Sequence, residues 1–163
     1  MLAPVNLWAN DTEVKTAPEF SLPQLSDPNK FISLEDFAGK FVYLDFWAAW
    51  CGPCRKSLPW MAEIHSELDE IGVNIVAVNL DRNIKDAHNF LARYPVPYTV
   101  LSNPEGNLAK EFAILGMPSS FLISPAGKIV WQHTGFKSKD KPHILQQIRT
   151  LVGSHQNDKN ANH

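Results

Sequence analysis

Two cysteines, Cys51 and Cys54, are the only ones in this chain of 163 residues, and Gly52 and Pro53 separate them. Two cysteines cannot build a disulfide framework, and they supply only half of an all-cysteine zinc site. They stand where an aromatic, β-branched run ends and a helical pattern begins. Unpaired backbone N–H groups and the helix dipole at such a position favour a cysteine thiolate over the thiol.

This arrangement predicts thiol–disulfide exchange. The thiolate of Cys51 attacks a disulfide and forms a mixed disulfide, which Cys54, one helical turn further and more buried, then resolves. Two other interpretations remain open: a purely structural disulfide, or half of a metal site that a second chain completes. The flanking strand, the helix start and the Gly-Pro pair favour the redox interpretation, which needs no metal ligand.

Pro118 is the second unusual residue, because it stands directly before a predicted strand. Proline at that place suits a cis peptide bond after Met117, which would turn the chain tightly. The backbone groups of Met117 would then be free to pair with an extended substrate segment. An ordinary trans proline at the start of a strand is the alternative, and general frequencies favour it.

Asp45 is the third unusual residue, since it lies inside the otherwise apolar run Phe41–Trp47. Burying a carboxylate is costly, and burial raises its pKa. The functional interpretation is a proton acceptor for Cys54 during turnover. The structural alternative is an aspartate on an edge strand that reaches water.

The composition excludes several classes of protein. Apolar residues make up 44% of the chain and the net charge is −2, which is a globular balance without a nucleic-acid footprint. The longest apolar stretch, residues 41–50, is too short for a membrane helix, and the first residues lack the pattern of an export signal. The six histidines show no metal-ligand spacing.

The elements that must position these residues follow from periodicity and turn signals. Strands are expected at residues 41–47, 73–80, 98–101, 120–123 and 129–131. Helices are expected after Cys54 with Pro59 inside, after Asn83, around residues 108–113, and after Asp140. The order predicts an α/β protein with a mixed central β-sheet flanked by helices. Residues 1–17 are expected to be a flexible arm, residues 18–153 the domain, and residues 154–163 a disordered polar tail.

Over about residues 18–152 the chain resembles the thioredoxin superfamily. The matching residues are the motif Trp50-Cys51-Gly52-Pro53-Cys54, the buried Asp45, the helix-kinking Pro59 and the cis-proline Pro118. The resemblance implies that Cys51 and Cys54 are catalytic with help from Asp45. It also implies that Trp50, Gly52, Pro53, Met117 and Pro118 bind substrate, and that no cofactor is required.

Three features resemble the TlpA/ResA branch of that superfamily. They are the opening Ala17-Pro18-Glu19-Phe20-Ser21-Leu22, the segment Phe46-Trp47-Ala48, and an added βα unit at residues 82–101. Members of the branch are exported or membrane-anchored bacterial thiol–disulfide oxidoreductases, and many reduce apocytochrome c. This chain departs from many members by Ser57, where they have glutamate, and by Asp45, where they often have asparagine.

The sequence thus predicts a disulfide reductase that acts on protein disulfides and that an upstream dithiol donor, such as a membrane thiol reductase, re-reduces. By resemblance its location is periplasmic or membrane-associated outside the cytoplasm; a cytoplasmic location is the alternative, and whether a signal or anchor is removed stays open. Nucleic acid is not an expected partner. The rival functions are a non-catalytic, redox-regulated binding module and, with little support, a peroxidase.

Overall fold

The computed structural model describes residues 14–162. Its seven strands are β1 (Ser21–Pro23), β2 (Phe31–Ser33), β3 (Phe41–Trp47), β4 (Val73–Asn79), β5 (Thr99–Ser102), β6 (Ser119–Ile123) and β7 (Ile129–Thr134). Its four α-helices are α1 (Cys54–Glu70), α2 (Ile84–Arg93), α3 (Asn107–Glu111) and α4 (Lys141–Ala161). Single 3-10 turns follow β2 and precede α4. Every strand and helix predicted from the pattern is present, with bounds shifted by a few residues.

Five strands form the central sheet in the order β5-β4-β3-β6-β7, while β1 and β2 form a separate hairpin. The pairs β3–β4 and β4–β5 are parallel, and the pairs β3–β6 and β6–β7 are antiparallel. The sheet is therefore mixed, as predicted. Because β3 and β4 are parallel neighbours, their carboxyl ends meet at one edge, where the cysteine motif begins.

Alternate residues of β3 enter two separate cores. Tyr43 and Trp47 pack with α1, α2 and α4, and Leu44 and Phe46 pack with α3 and the N-terminal segment. All seven residues of β3 are buried. This coverage on both faces explains why the strand is a continuous apolar run, interrupted by Asp45 alone.

The N-terminal segment is attached to both edges of the sheet. The N–H of Ala17 donates to Gly127 O at 2.8 Å, and the N–H of Leu25 donates to Val100 O at 2.9 Å. Between these points Ala17 and Phe20 are buried in the core on the α3 face. We call residues 15–25 the strap. Residues 15–17 were predicted to belong to a flexible arm, and this prediction is wrong because their backbone is hydrogen-bonded to the sheet. Residues 1–13 of the predicted arm lie outside the described part of the chain.

The prediction for the C-terminal segment is also corrected by the structure. Residues from 154 onward were predicted to be disordered, but α4 continues to Ala161. His155 packs edge-on against Phe41, with the ring centroids 5.2 Å apart, and no proline interrupts the helix after Gly153. An aromatic contact one turn beyond the last buried aliphatic residue extends the packed face without producing an apolar pattern.

Candidate active site

Cys51 and Cys54 are joined in a disulfide, and α1 begins at Cys54. The backbone N–H of Cys54 donates to Sγ of Cys51 at 3.3 Å. Cys51 is 5% exposed and Cys54 is fully buried. Cys51 thus lines a groove, and its sulfur meets a helix-terminal donor that stabilises a thiolate, whereas Cys54 is shielded. The predicted division of labour between Cys51 and Cys54 is consistent with this arrangement and stays a prediction.

Asp45 lies in the middle of β3 and is only 1% exposed. By strand alternation it faces the same side as Tyr43 and Trp47, which is the side that carries α1 and Cys54. Its Oδ1 accepts a hydrogen bond of 2.7 Å from the Ser120 hydroxyl. Its Oδ2 is buried and has no partner among the described residues. One carboxylate oxygen is therefore anchored and the other remains free to take a proton.

The burial of Asp45 raises the pKa of its carboxyl to about 7, and the hydrogen bond from Ser120 opposes part of this rise. A group with such a pKa exchanges a proton readily near neutral pH. The edge-strand alternative for Asp45 is wrong, since β3 is the central strand of the sheet.

The loop before the cysteines is held by a buried carboxylate that the sequence argument missed. Asp81 accepts hydrogen bonds from the N–H of Ala49 at 2.9 Å and from the amide of Asn79 at 2.7 Å. Asp81 is itself buried. The sequence signal for this role was a pair of polar residues, Asn79 and Asp81, at the carboxyl end of β4. That end lies beside the end of β3, which leads into the cysteine motif.

A groove of about 500 Å³ opens beside the disulfide. It brings together five of the predicted site residues: Trp50, Cys51, Gly52, Pro53 and Met117. The other four lining residues were not among the predicted site residues: Leu80, Ile114, Leu115 and Gly116. Trp50 is 70% exposed and Leu115 is 99% exposed, so large apolar groups are left open to solvent around Cys51. Exposed apolar surface of this kind marks an interaction site.

The peptide bond between Met117 and Pro118 is cis, as the resemblance implied. Within residues 14–162 no hydrogen bond reaches the backbone N–H or C=O of Met117, whereas the Pro118 carbonyl accepts from Gly135 N at 2.8 Å. Pro118 does not line the groove. The free backbone groups thus belong to Met117, where an extended peptide could pair with them.

Tyr98 ties the start of α1 to the sheet. Its hydroxyl donates to Leu58 O at 2.8 Å, next to Pro59, which has no N–H to give the helix. Burial raises the pKa of Tyr98 well above its usual value, so this donor keeps its proton.

Across residues 14–162 no group of three or more His, Cys, Asp or Glu side chains is placed to hold a metal ion. Within the same range no helix combines the length and apolar character needed to cross a bilayer.

A family model described as Redoxin matches residues 12–148. Thiol-disulfide oxidoreductase ResA of Bacillus subtilis (strain 168) is 36% identical over 137 residues, covering 84% of this chain and 75% of the relative. ResA of Geobacillus thermodenitrificans (strain NG80-2) is 30% identical over 149 residues, covering 90% and 83%.

Solved structures give the same result. A Chlorobium tepidum protein assigned as thiol:disulfide interchange protein DsbE superposes with a TM-score of 0.80 at 43% identity, covering 85% of this chain and 96% of that one. The exposed lipoprotein thioredoxin of Streptococcus pneumoniae superposes with a TM-score of 0.70 at 31% identity, covering 82% and 99%.

Proposed function

We propose a direction and a substrate class for this chain, which belongs to the Redoxin family and is a thiol–disulfide oxidoreductase with a thioredoxin-like fold. The direction is reduction, and the substrates are protein disulfides. The observation that supports the proposal most is the free, buried Oδ2 of Asp45 on the face of the sheet that carries Cys54. A proton acceptor there is needed when Cys54 resolves a mixed disulfide, which is the step that releases reduced substrate.

In the first step the thiolate of Cys51 attacks one sulfur of the substrate disulfide. A bond forms between Sγ of Cys51 and that sulfur, and the other substrate sulfur leaves as a thiolate and takes a proton from solvent. The N–H of Cys54, at 3.3 Å from Sγ of Cys51, stabilises the attacking thiolate.

In the second step Cys54 loses its proton to Asp45, through water, and attacks Sγ of Cys51. The mixed disulfide breaks, and the second substrate thiol leaves after receiving a proton. The substrate has then gained two electrons from the enzyme and two protons, one from solvent and one to balance the proton that Cys54 released to Asp45, and the enzyme holds the Cys51–Cys54 disulfide. An external dithiol donor restores the dithiol, and no bound cofactor takes part.

The groove gives the substrate its orientation. We assign the backbone of Met117 to pairing with an extended segment around the target disulfide. Trp50 and Leu115 provide the apolar surface on either side. Gly52 and Pro53 form the wall in front of Cys51.

The location and partners of this chain are proposed from its relatives. The pneumococcal relative is an exposed lipoprotein, and we place this chain outside the cytoplasm as well. Kinship with ResA suggests two roles: reduction of apocytochrome c, and maintenance of reduced thiols in other extracytoplasmic proteins. The donor is then a dithiol protein that delivers electrons across the membrane.

The direction is tested by titration in glutathione buffers, with tryptophan fluorescence reporting the Cys51–Cys54 disulfide. A reduction potential below about −230 mV is expected, since dedicated reductants lie there. A potential near about −120 mV, typical of strong disulfide-forming proteins, would overturn the assignment. A Trp50→Phe variant identifies the fluorophore.

The catalytic order is tested with Cys54→Ser, which should trap substrates on Cys51 as mixed disulfides in lysate. The double variant Cys51→Ser/Cys54→Ser is the matched control and should trap nothing. Insulin reduction by dithiothreitol separates an enzyme from the binding-module alternative, because a module without turnover would not accelerate precipitation.

A further inference from the structure

A second cavity lies beside the cysteines, across Trp50 from the groove. It measures about 330 Å³, and we call it the α2 cavity. Its walls are Ala49, Trp50, Arg55, Asp86, Asn89, Phe90, Arg93 and Tyr94. Because Trp50 lines both the groove and the α2 cavity, a group bound in this cavity lies one side chain away from the site of disulfide exchange.

The α2 cavity is locally positive in a chain whose net charge is −2. Arg55 and Arg93 line it, and Asp86 is its one carboxylate. Within residues 14–162 no carboxylate lies within 4.0 Å of either guanidinium. Two cations without ion-pair partners therefore face one concave surface.

The presence of a cation at residue 55 is not explained by a contribution to the stability of α1. It occupies the first turn of α1, where a cation interacts unfavourably with the positive end of the helix dipole. Its Nε donates to Ala49 O at 3.2 Å, which fixes the root of the guanidinium at the wall of the cavity. Its terminal nitrogens remain available to an anion, and a guanidinium fork matches a carboxylate.

The remaining walls suit a peptide side chain. Trp50 and Tyr94 present exposed aromatic surface, and the lining also includes the buried ring of Phe90 and Asn89. Aromatic rings bind the stem of a glutamate or the flat peptide group beside it, while the arginines take the charge. Arg93 and Tyr94 lie at the end of α2, within the βα unit added to the thioredoxin-like core.

We propose that the α2 cavity binds an acidic residue that flanks the target disulfide, so that this enzyme prefers disulfides in acidic surroundings. The proposal rests on the proposed function, because it names the substrate class of the same site. Arg55 and Arg93 are the recognition residues, and Trp50 separates the bound carboxylate from the reacting sulfurs.

The test uses three disulfide peptides of equal length whose residues beside the cysteines are glutamate, glutamine or lysine. Rates of exchange are measured with reduced enzyme on the disulfide peptides and with oxidised enzyme on the dithiol peptides. Each rate is divided by the rate of the same peptide with an uncharged reagent, 2-mercaptoethanol for the disulfide peptides and its disulfide for the dithiol peptides, which removes the effect of the flanking charge on the peptide's own sulfurs.

The wild-type enzyme should favour the glutamate peptide over the glutamine peptide by about fivefold at low ionic strength, and the lysine peptide should be slowest. Arg93→Gln should lower this preference to about twofold, and Arg55→Gln/Arg93→Gln should abolish it. Lys85→Gln is the matched control, since Lys85 lies on α2 but outside the cavity, and it should keep the full preference. About 0.5 M salt should weaken it.

Equal normalised rates for the three peptides would overturn the proposal, and so would a preference that survives in the double variant. Failure of the reductase assignment gives a different result, namely an equilibrium in which the enzyme is reduced and the peptide oxidised. The acidic preference remains measurable in that case, because both directions pass through the same mixed disulfide.

Discussion

Asp45 combines two properties that are in conflict, since its burial destabilises the charge that its role in proton transfer requires. With a pKa of about 7 in the folded protein against 3.8 ordinarily, it holds a proton that the unfolded chain has released. Between about pH 4 and pH 7 the free energy of unfolding therefore falls as pH rises, and above that range the loss is complete.

Asp45→Asn removes this titration. We expect the variant to gain stability relative to wild type as pH rises from about 4 to about 8, by roughly 4 kcal/mol in total. Urea unfolding of both oxidised proteins across this range measures the difference. Ser120→Ala, which removes the hydrogen bond that lowers the pKa of Asp45, should extend the wild-type decline to higher pH. Parallel curves for wild type and Asp45→Asn would contradict the prediction.

Asp45→Asn should also slow catalysis at the step in which Cys54 resolves the mixed disulfide. Loss of the proton acceptor is expected to reduce release of substrate from the mixed disulfide on the order of 100-fold and to remove an inflection near pH 7. Rapid-quench measurement of a single turnover separates this step from the attack by Cys51. An unchanged resolving rate with an unchanged pH profile would exclude the role of Asp45.

At the residue scale, chemistry with a strong local signature was predictable from sequence. Cys51, Cys54 and Asp45 each break the pattern of their surroundings; in the structure the two cysteines form a disulfide and Asp45 is buried, and their catalytic roles stay predictions. Leu115 gave no such signal, and Asp81 gave only the polar residues at the end of β4, which do not by themselves indicate a role. Their importance depends on which strand ends and loops meet in space, and that depends on the sheet order rather than on spacing along the chain.

At the element scale, the end of β4 positions the loop at the end of β3. Removing the Asp81 carboxylate in Asp81→Ala would leave the N–H of Ala49 and the amide of Asn79 without their acceptor in a buried place. We expect a loss of about 1–3 kcal/mol in unfolding free energy and faster hydrogen exchange at Ala49.

Asp81→Asn keeps an acceptor of the same shape and should recover most of both properties. Urea unfolding and amide exchange of the oxidised proteins provide the measurements. The rate of disulfide exchange at Cys51 with a neutral peptide should rank the proteins in the same order as the protection of the Ala49 amide, with wild type first, Asp81→Asn next and Asp81→Ala last. Equal stability and equal Ala49 exchange in the two variants would show that Asp81 does not hold the loop.

The prediction of elements succeeded where one periodicity dominated and failed where tertiary contacts extended an element. The predicted apolar face of α1 is buried, and Asn83 caps α2 as predicted. Strand β7 runs to Thr134, beyond the predicted residue 131, because pairing with β6 continues through polar residues. Helix α4 continues past its apolar pattern through the contact of His155 with Phe41.

At the scale of the whole molecule, the last turns of α4 add stability without adding to the site. None of residues 154–162 lines the groove or the α2 cavity. A chain ending at Gly153 should fold, lose about 1 kcal/mol, and keep its rate of insulin reduction. His155→Ala in the full chain should show most of the same loss. A truncated protein as stable as the full chain would mean that the contact contributes nothing.

The strap has a consequence for the order of events in folding. Its partners on the sheet lie far along the chain, with Lys128 joined to Thr16 across a separation of 112 residues. Contacts of such long range require most of the chain and form slowly. During synthesis or secretion from the N-terminus, β1 can pair with β2 early, but residues 15–17 and Leu25 must wait without their partners until β7 and β5 have appeared. We expect amides of the strap to exchange hydrogen before those of β3, by local opening at both edges of the sheet.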